Sequence, residues 1–233
     1  MNSVENDGQI QYDSLMGKVI ASYAQDIRFK DYLEIGTWNG GGSTYCFGKG
    51  FETRNEPFSF LTLEINKERY EEAKEKYKHI KYIEIERGTI LDPKDFLVNN
   101  NLIEKFNSIF KSINIEWLID DLNSMFSGAK YIEFVDFIPE VVLLDGSEYL
   151  TYFEFIKLYN STKVFILDDI NTEKCKKIVI ELDNNPNWIQ KYKVVDERNG
   201  WAVYEKKDNW IPKYKVVVVD ERNGCAVYEK KDI

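Results

Sequence analysis

Apolar residues recur at two different periods along this chain, and the alternation between them predicts its architecture. Leu15, Val19, Ile20, Tyr23 and Ile27 fall at mixed three- and four-residue spacing, which predicts an amphipathic helix within residues 12–29. A short apolar strand, Tyr32 to Ile35, then runs into the glycine cluster of "YLEIGTWNGGGST", and "TYCF" opens the next helix. The second strand is "FSFLTLEI", after which Asn66 is placed to cap the helix "KERYEEAKEKY", where Tyr70, Ala73 and Tyr77 share one face. A third strand, "KYIEIERG", ends at Gly88, and roughly fifty residues separate it from "EVVLLDG". In that interval Ile103, Phe106, Ile109, Phe110 and Ile113, then Leu118, Leu122 and Met125, recur at helical spacing, so two helices are expected. The helical insertion, residues 97–128, reads either as a crossover with extra core cover or as a lid over a substrate pocket. The helical pattern "YLTYFEFIKLY", the strand "KVFILDD" and a helix "TEKCKKIVIEL", capped by Asn171 or Thr172, complete the alternation.

Near-continuous apolar strands separated by amphipathic helices predict an α/β fold: a Rossmann-like, doubly wound, mostly parallel sheet covered on both faces, with right-handed crossovers. The tail departs from this pattern. "NWIQKYKVVDERNGWAVYEKKD" is followed at once by "NWIPKYKVVVVDERNGCAVYEKKD", a tandem duplication in which each copy reads as a β-hairpin with its turn at "ERNG". The first copy is expected to complete the sheet with an antiparallel edge. The second reads as a surface appendage, or as an edge recruited for homo-oligomer formation. Residues 1–208 are therefore taken as one domain and 209–233 as the duplicated hairpin appendage.

Composition narrows the class. A hydrophobic content of 43% and an aromatic content of 15% favour a packed globule, and no apolar run is long enough to span a bilayer. The opening "MNSVENDGQI" lacks both a basic start and an apolar stretch, so no signal peptide is read there and a cytoplasmic location is expected. Cys46, Cys175 and Cys225 are far apart and odd in number, which argues against a disulfide framework or a zinc site. With no spanning run no membrane partner is expected, and a net charge of −9 repels phosphate backbones, so nucleic acid is not expected either.

The chemistry-bearing residues fall at the carboxyl ends of the predicted strands, where open parallel sheets bind ligands. Glu34 and Gly36 close the first strand, Glu64 the second, Gly88 the third, Asp145 and Gly146 the fourth, and Asp168 with Asp169 the fifth. The only histidine, His79, precedes the third strand and is expected at the opposite end of the sheet, which argues against it as a general base.

Glu34, Gly36 and Gly40 resemble the first motif of class I methyltransferases that use S-adenosylmethionine (SAM), although the glycine spacing does not reproduce GxGxxG. An acid at the end of the second strand, here Glu64, is placed to accept from the ribose hydroxyls of a nucleoside. The resemblance implies that Glu34, Gly36, Gly40 and Ser43 shape the methionine end of a cofactor pocket, with Glu64 on the ribose and Thr89 completing the cofactor set. "LLDGSEYLTYFEFIKLYNSTKVFILDDINTEKCKKIV" resembles the macrocin O-methyltransferase family, whose members methylate sugar hydroxyls with a divalent metal. The matching features are Asp-Gly at strand four, Tyr149, Leu-Tyr closing the helix, Asp-Asp at strand five and Cys-Lys-Lys afterwards, and the likeness covers about residues 30–185. Ser147 and Glu148 depart from that pattern, as does the lack of Gly-Gly before strand five.

This resemblance implies that Asp145, Asp168 and Asp169 bind magnesium or another divalent cation, which all-oxygen donors suit. Either Asp169 or Asp145 would take the proton of a hydroxylated small-molecule acceptor, a sugar or sugar-bearing compound, as its oxygen attacks the SAM methyl group. The alternatives are a metal-independent small-molecule methyltransferase and a non-catalytic nucleotide-fold binding or assembly protein.

Overall fold

The computed structural model describes residues 1, 4–97, 102–134, 137–207, 214–220 and 225–230. The leading helix α1, Leu15–Gln25, starts where the Ser14 side chain accepts from the Gly17 amide at 3.0 Å. Strand β1 (Asp31–Ile35), helix α2 (Ser43–Phe51), strand β2 (Ser59–Glu64), helix α3 (Lys67–Tyr77) and strand β3 (Glu84–Thr89) follow in the expected alternation. Asn66 caps α3 as its position predicts, accepting from the Arg69 amide at 3.1 Å.

The long interval contains the short α4 (Lys94–Leu97), the two expected helices α5 (Leu102–Ile109) and α6 (Ile115–Phe126), and a two-residue strand β4 (Lys130–Tyr131). Then come β5 (Val141–Leu144), α7 (Thr151–Leu158), β6 (Val164–Asp168), α8 (Lys176–Asp183), β7 (Trp188–Val194) and β8 (Trp201–Lys206). Helix α8 begins later than its sequence predicts. Neither Asn171 nor Thr172 caps it by a side chain: Asn171 donates to the Val195 carbonyl, and Thr172 Oγ1 accepts from the Lys174 amide within an irregular turn before the helix.

One eight-stranded sheet has the order β4-β3-β2-β1-β5-β6-β8-β7. Every neighbouring pair from β4 to β6 is parallel, while β8 runs antiparallel to both β6 and β7. The first hairpin copy thus completes the sheet. Its outer strand β7 exposes Gln190, Lys191 and Lys193 and carries a register shift between Gln190 and Tyr192, features that blunt an edge against unwanted pairing. In the second copy, β9 (Tyr214–Asp220) and β10 (Cys225–Lys230) pair antiparallel in a two-stranded sheet of their own.

The strands are apolar throughout because both faces are covered. Along β5 all four side chains are buried, and they alternate between two cores. Val142 and Leu144 join Phe106, Leu118, Phe155 and Ile178 from the helices α5 to α8. Val141 and Leu143 join Ile20, Phe47 and Ala73 from α1 to α3 on the other side. From β1 the chain winds outward through β2 and β3 to β4, then returns to lay β5 against the other side of β1, so the strand order reverses between β1 and β5. No helix among the described residues is long and apolar enough to cross a membrane.

Candidate functional site

Where β1 meets β5, the two strand ends nearly touch. Gly36 has φ +97°, and a Cβ there would lie 2.1 Å from the Asp145 carbonyl oxygen, so only glycine fits. Its amide donates to the Leu63 carbonyl at 2.9 Å, which ties the turn to β2 as well. Beneath the turn, Glu34 is fully buried and accepts from the Thr44 and Thr62 hydroxyls, each at 2.6 Å. Burial pushes its carboxyl up to about 7, against the pull of the surrounding hydroxyl donors. Gly40 is packed against Tyr77, whose hydroxyl donates to the Gly40 carbonyl at 2.6 Å. The N-terminal segment also grips this turn, with the Gly8 amide and the Asn6 side chain both donating to the Gly41 carbonyl.

Glu64, 7% exposed, receives the Trp38 amide at 2.7 Å on one oxygen and the Asn66 amide at 2.8 Å on the other. Burial raises its carboxyl nonetheless. Each carboxylate oxygen has a second lone pair, so a pair of vicinal hydroxyls could still be received. Trp38 takes a left-handed φ of 51°, and its exposed ring lies 4.0 Å from the Arg69 guanidinium.

The three aspartates expected as a set do converge: ligand atoms of Asp145, Asp168 and Asp169 lie within 4.8 Å of one another. Asp169 leaves strand geometry with a left-handed φ of 54°, which breaks the alternation that would otherwise send neighbouring carboxylates to opposite faces. Cations already hold the cluster. Lys174 Nζ donates to Asp145 Oδ1 at 3.0 Å and to Asp169 Oδ2 at 2.6 Å, and Arg198 pairs with Asp168. Asn199 donates to the other oxygen of Asp169 at 3.0 Å. Burial raises Asp145, partly offset by Lys174; burial and the Asp145 charge take Asp168 up to about 7 despite Arg198. Asp169 is half-buried, yet Lys174 and Asn199 outweigh the cost of that burial and hold it below the usual carboxylate range. The donor set is the all-oxygen kind that magnesium takes, and the position between Asp145 and Asp169 is occupied by the Lys174 ammonium.

A cavity of about 500 Å³ opens over these elements, within the range of small-ligand sites. Of the residues expected from the sequence, Gly36, Ser43, Glu64, Asp145 and Asp169 line it, whereas Glu34, Gly40, Thr89 and Asp168 lie outside its lining. The insertion contributes Asp120, Asp121 and Ser124 from α6, so it forms one wall. Lys174, Trp38, Asp121 and Glu154 line the cavity without having been singled out by their sequence setting. Glu154 is 4% exposed and its Oε2 has no hydrogen-bond partner among the described residues; burial first, then the charges of Asp121 and Glu64, raise its carboxyl to about 8. Burial likewise raises Asp121 to about 7. His79 lines a separate hollow with Met1, Phe51 and Tyr82, away from this cavity.

No protein-family profile matches the chain, and no curated protein does. Solved structures do. An O-methyltransferase from Bacillus cereus in complex with SAH superposes with a TM-score of 0.53 at 14% identity, covering 88% of this chain and 85% of that one. The O-methyltransferase TomG from Streptomyces achromogenes, involved in tomaymycin synthesis and solved with SAM, gives 0.51 at 12% identity, covering 82% and 79%. The fold is that of these O-methyltransferases. A methyltransferase from Geobacter sulfurreducens matches at 0.51 and 9% identity over 83% and 79% of the two chains, so the shared architecture far outlasts sequence likeness. Within this methyltransferase fold, the cavity lies at the carboxyl ends of β1, β2 and β5, beside the reversal in strand order.

Proposed function

We propose that the chain is a SAM-dependent O-methyltransferase acting on a hydroxyl of a small acceptor, a sugar or sugar-bearing compound. The observation that carries this reading is the presence in one cavity of the Gly36 turn, the ribose-type acid Glu64 and the Asp145–Asp169 cluster. Gly36 lets the backbone approach the cofactor closely, Ser43 at the start of α2 borders the methionine end, and Glu64 receives the ribose hydroxyls. The methyl group then faces the carboxylates. As the acceptor oxygen attacks the methyl carbon in line, its proton passes to Asp145 or Asp169, the C–S bond breaks with its electron pair going to sulfur, and SAH leaves. The sulfonium is already an activated donor, so most of the rate comes from positioning the two partners.

A divalent metal is the ligand that the family resemblance implies at the three aspartates. The transfer itself uses the chain's own residues only. The sugar assignment rests on the resemblance of Leu143 to Val179, and the exposed Trp38, which lines the cavity, offers a ring of the kind that the C–H faces of sugars contact. Incubating the protein with methyl-labelled SAM and a panel of free and nucleotide-linked sugars tests the reading. Label incorporated into a sugar hydroxyl supports it. Label in no acceptor despite bound cofactor rejects the sugar class.

A further inference from the structure

We propose that Lys174 is the resident cation of this site, its ammonium holding the position between Asp145 and Asp169 that a divalent metal would take, and donating to the acceptor oxygen. The acceptor part rests on the methyl-transfer reading; the cation part stands on geometry alone. Lys174 is 9% exposed, and its Nζ lies 3.0 Å from Asp145 and 2.6 Å from Asp169, two carboxylates delivered by different strand ends. The irregular turn 171–175 is what brings it there, because α8 does not start until Lys176. A regular helix from Thr172 would carry that side chain elsewhere.

The rest of the cluster is matched in the same way. Arg198 comes from the hairpin turn, held in a left-handed φ of 55° and closed by the Gly200 amide donating to the Glu197 carbonyl at 2.8 Å, and it pairs with Asp168. Asn199 from the same turn donates to Asp169. Asp145 and Asp169 share Lys174 while Asp168 pairs with Arg198, so a divalent ion binding here would have to expel a buried ammonium. An ammonium has three donors, of which two are used here, and the third has no partner among the described residues. Because Lys174, Asp145 and Asp169 all line the cavity, a hydroxyl oxygen seated there would accept from Lys174 while its proton faces a carboxylate. The ammonium thereby supplies, as a fixed charge, the stabilisation of developing negative charge on oxygen that a metal would otherwise give.

The experiment is a Mn2+ titration of chelator-treated full-length protein, followed by calorimetry and by the electron paramagnetic resonance of free Mn2+. The wild type, Lys174→Met, Lys174→Arg and the double variant Lys174→Met, Asp169→Asn are compared. The wild type and Lys174→Arg are expected to bind no Mn2+ at up to millimolar concentration. Lys174→Met is expected to gain one site, with a dissociation constant roughly tenfold or more below the millimolar limit at which the wild type shows none, and Asp169→Asn removes it again. One Mn2+ bound by the wild type, or none by a folded Lys174→Met chain, overturns the assignment. Should that variant not fold, the wild-type titration decides alone: one ion bound rejects the proposal and none upholds it. SAM titrated into the same samples reports separately on cofactor binding, so failure of the methyltransferase reading is distinguishable from failure of the cation assignment.

Discussion

Replacing Glu154 by glutamine gives a pH-dependent gain in stability whose size follows from the fold. Glu154 sits on α7, 4% exposed, with Oε2 unpartnered among the described residues and Asp121 and Glu64 nearby. Burial and those two charges raise its carboxyl from the ordinary 4.5 to about 8. Because the folded chain holds this proton more tightly than the unfolded chain, the stability it contributes is complete below about pH 4.5 and is lost as the pH climbs towards 8. Between about pH 5 and pH 8.5 the wild type should therefore lose about 2–4 kcal/mol relative to Glu154→Gln, the upper figure being the full linkage value and the lower allowing for local relaxation. Urea denaturation of both proteins at the two pH values measures the difference directly. Parallel stability profiles, with a gap that stays constant within about 0.5 kcal/mol, would show that Glu154 keeps an ordinary carboxyl and refute the reasoning.

Two further substitutions probe the contacts that build the site. Gly36→Ala places a Cβ 2.1 Å from the Asp145 carbonyl oxygen at a left-handed φ, so it should cost at least about 3 kcal/mol in chemical denaturation and weaken SAM binding together; an unchanged stability would contradict the close approach of β1 and β5. Arg198→Ala leaves Asp168, 2% exposed, without its cation and should cost about 3–5 kcal/mol near pH 8, falling near pH 5 where Asp168 takes up a proton; a pH-independent loss would show that the ion pair is not what the arginine contributes.

The parts of the fold legible in the sequence are those fixed by local periodicity. Val141–Leu144 and Val164–Asp168 are fully buried on both faces, so their apolar runs could be read without knowing their neighbours. Asn66 announced its helix because a cap acts over three residues. The alternation of elements placed the three aspartates at strand ends, and the family resemblance joined them as a set. Their partners were not legible. Lys174 reaches Asp145 through an irregular turn, and Arg198 reaches Asp168 across 30 positions through a hairpin, neither of which leaves a periodic trace. The polar segment Asn6 to Ile10 looks like a plain leader, yet it packs on the glycine turn and lines the cavity through Gly8, Gln9 and Ile10. Strand β4, only two residues long, is defined by its pairing with β3 rather than by its own composition.

The most direct test of the central claim is calorimetric titration of SAM into the full chain, beside a Glu64→Ala variant. The account predicts one site per chain with a dissociation constant on the order of micromolar, weakened roughly tenfold or more in the variant because the ribose loses a charged acceptor. Absence of binding to the wild type, or equal binding to both proteins, would contradict it.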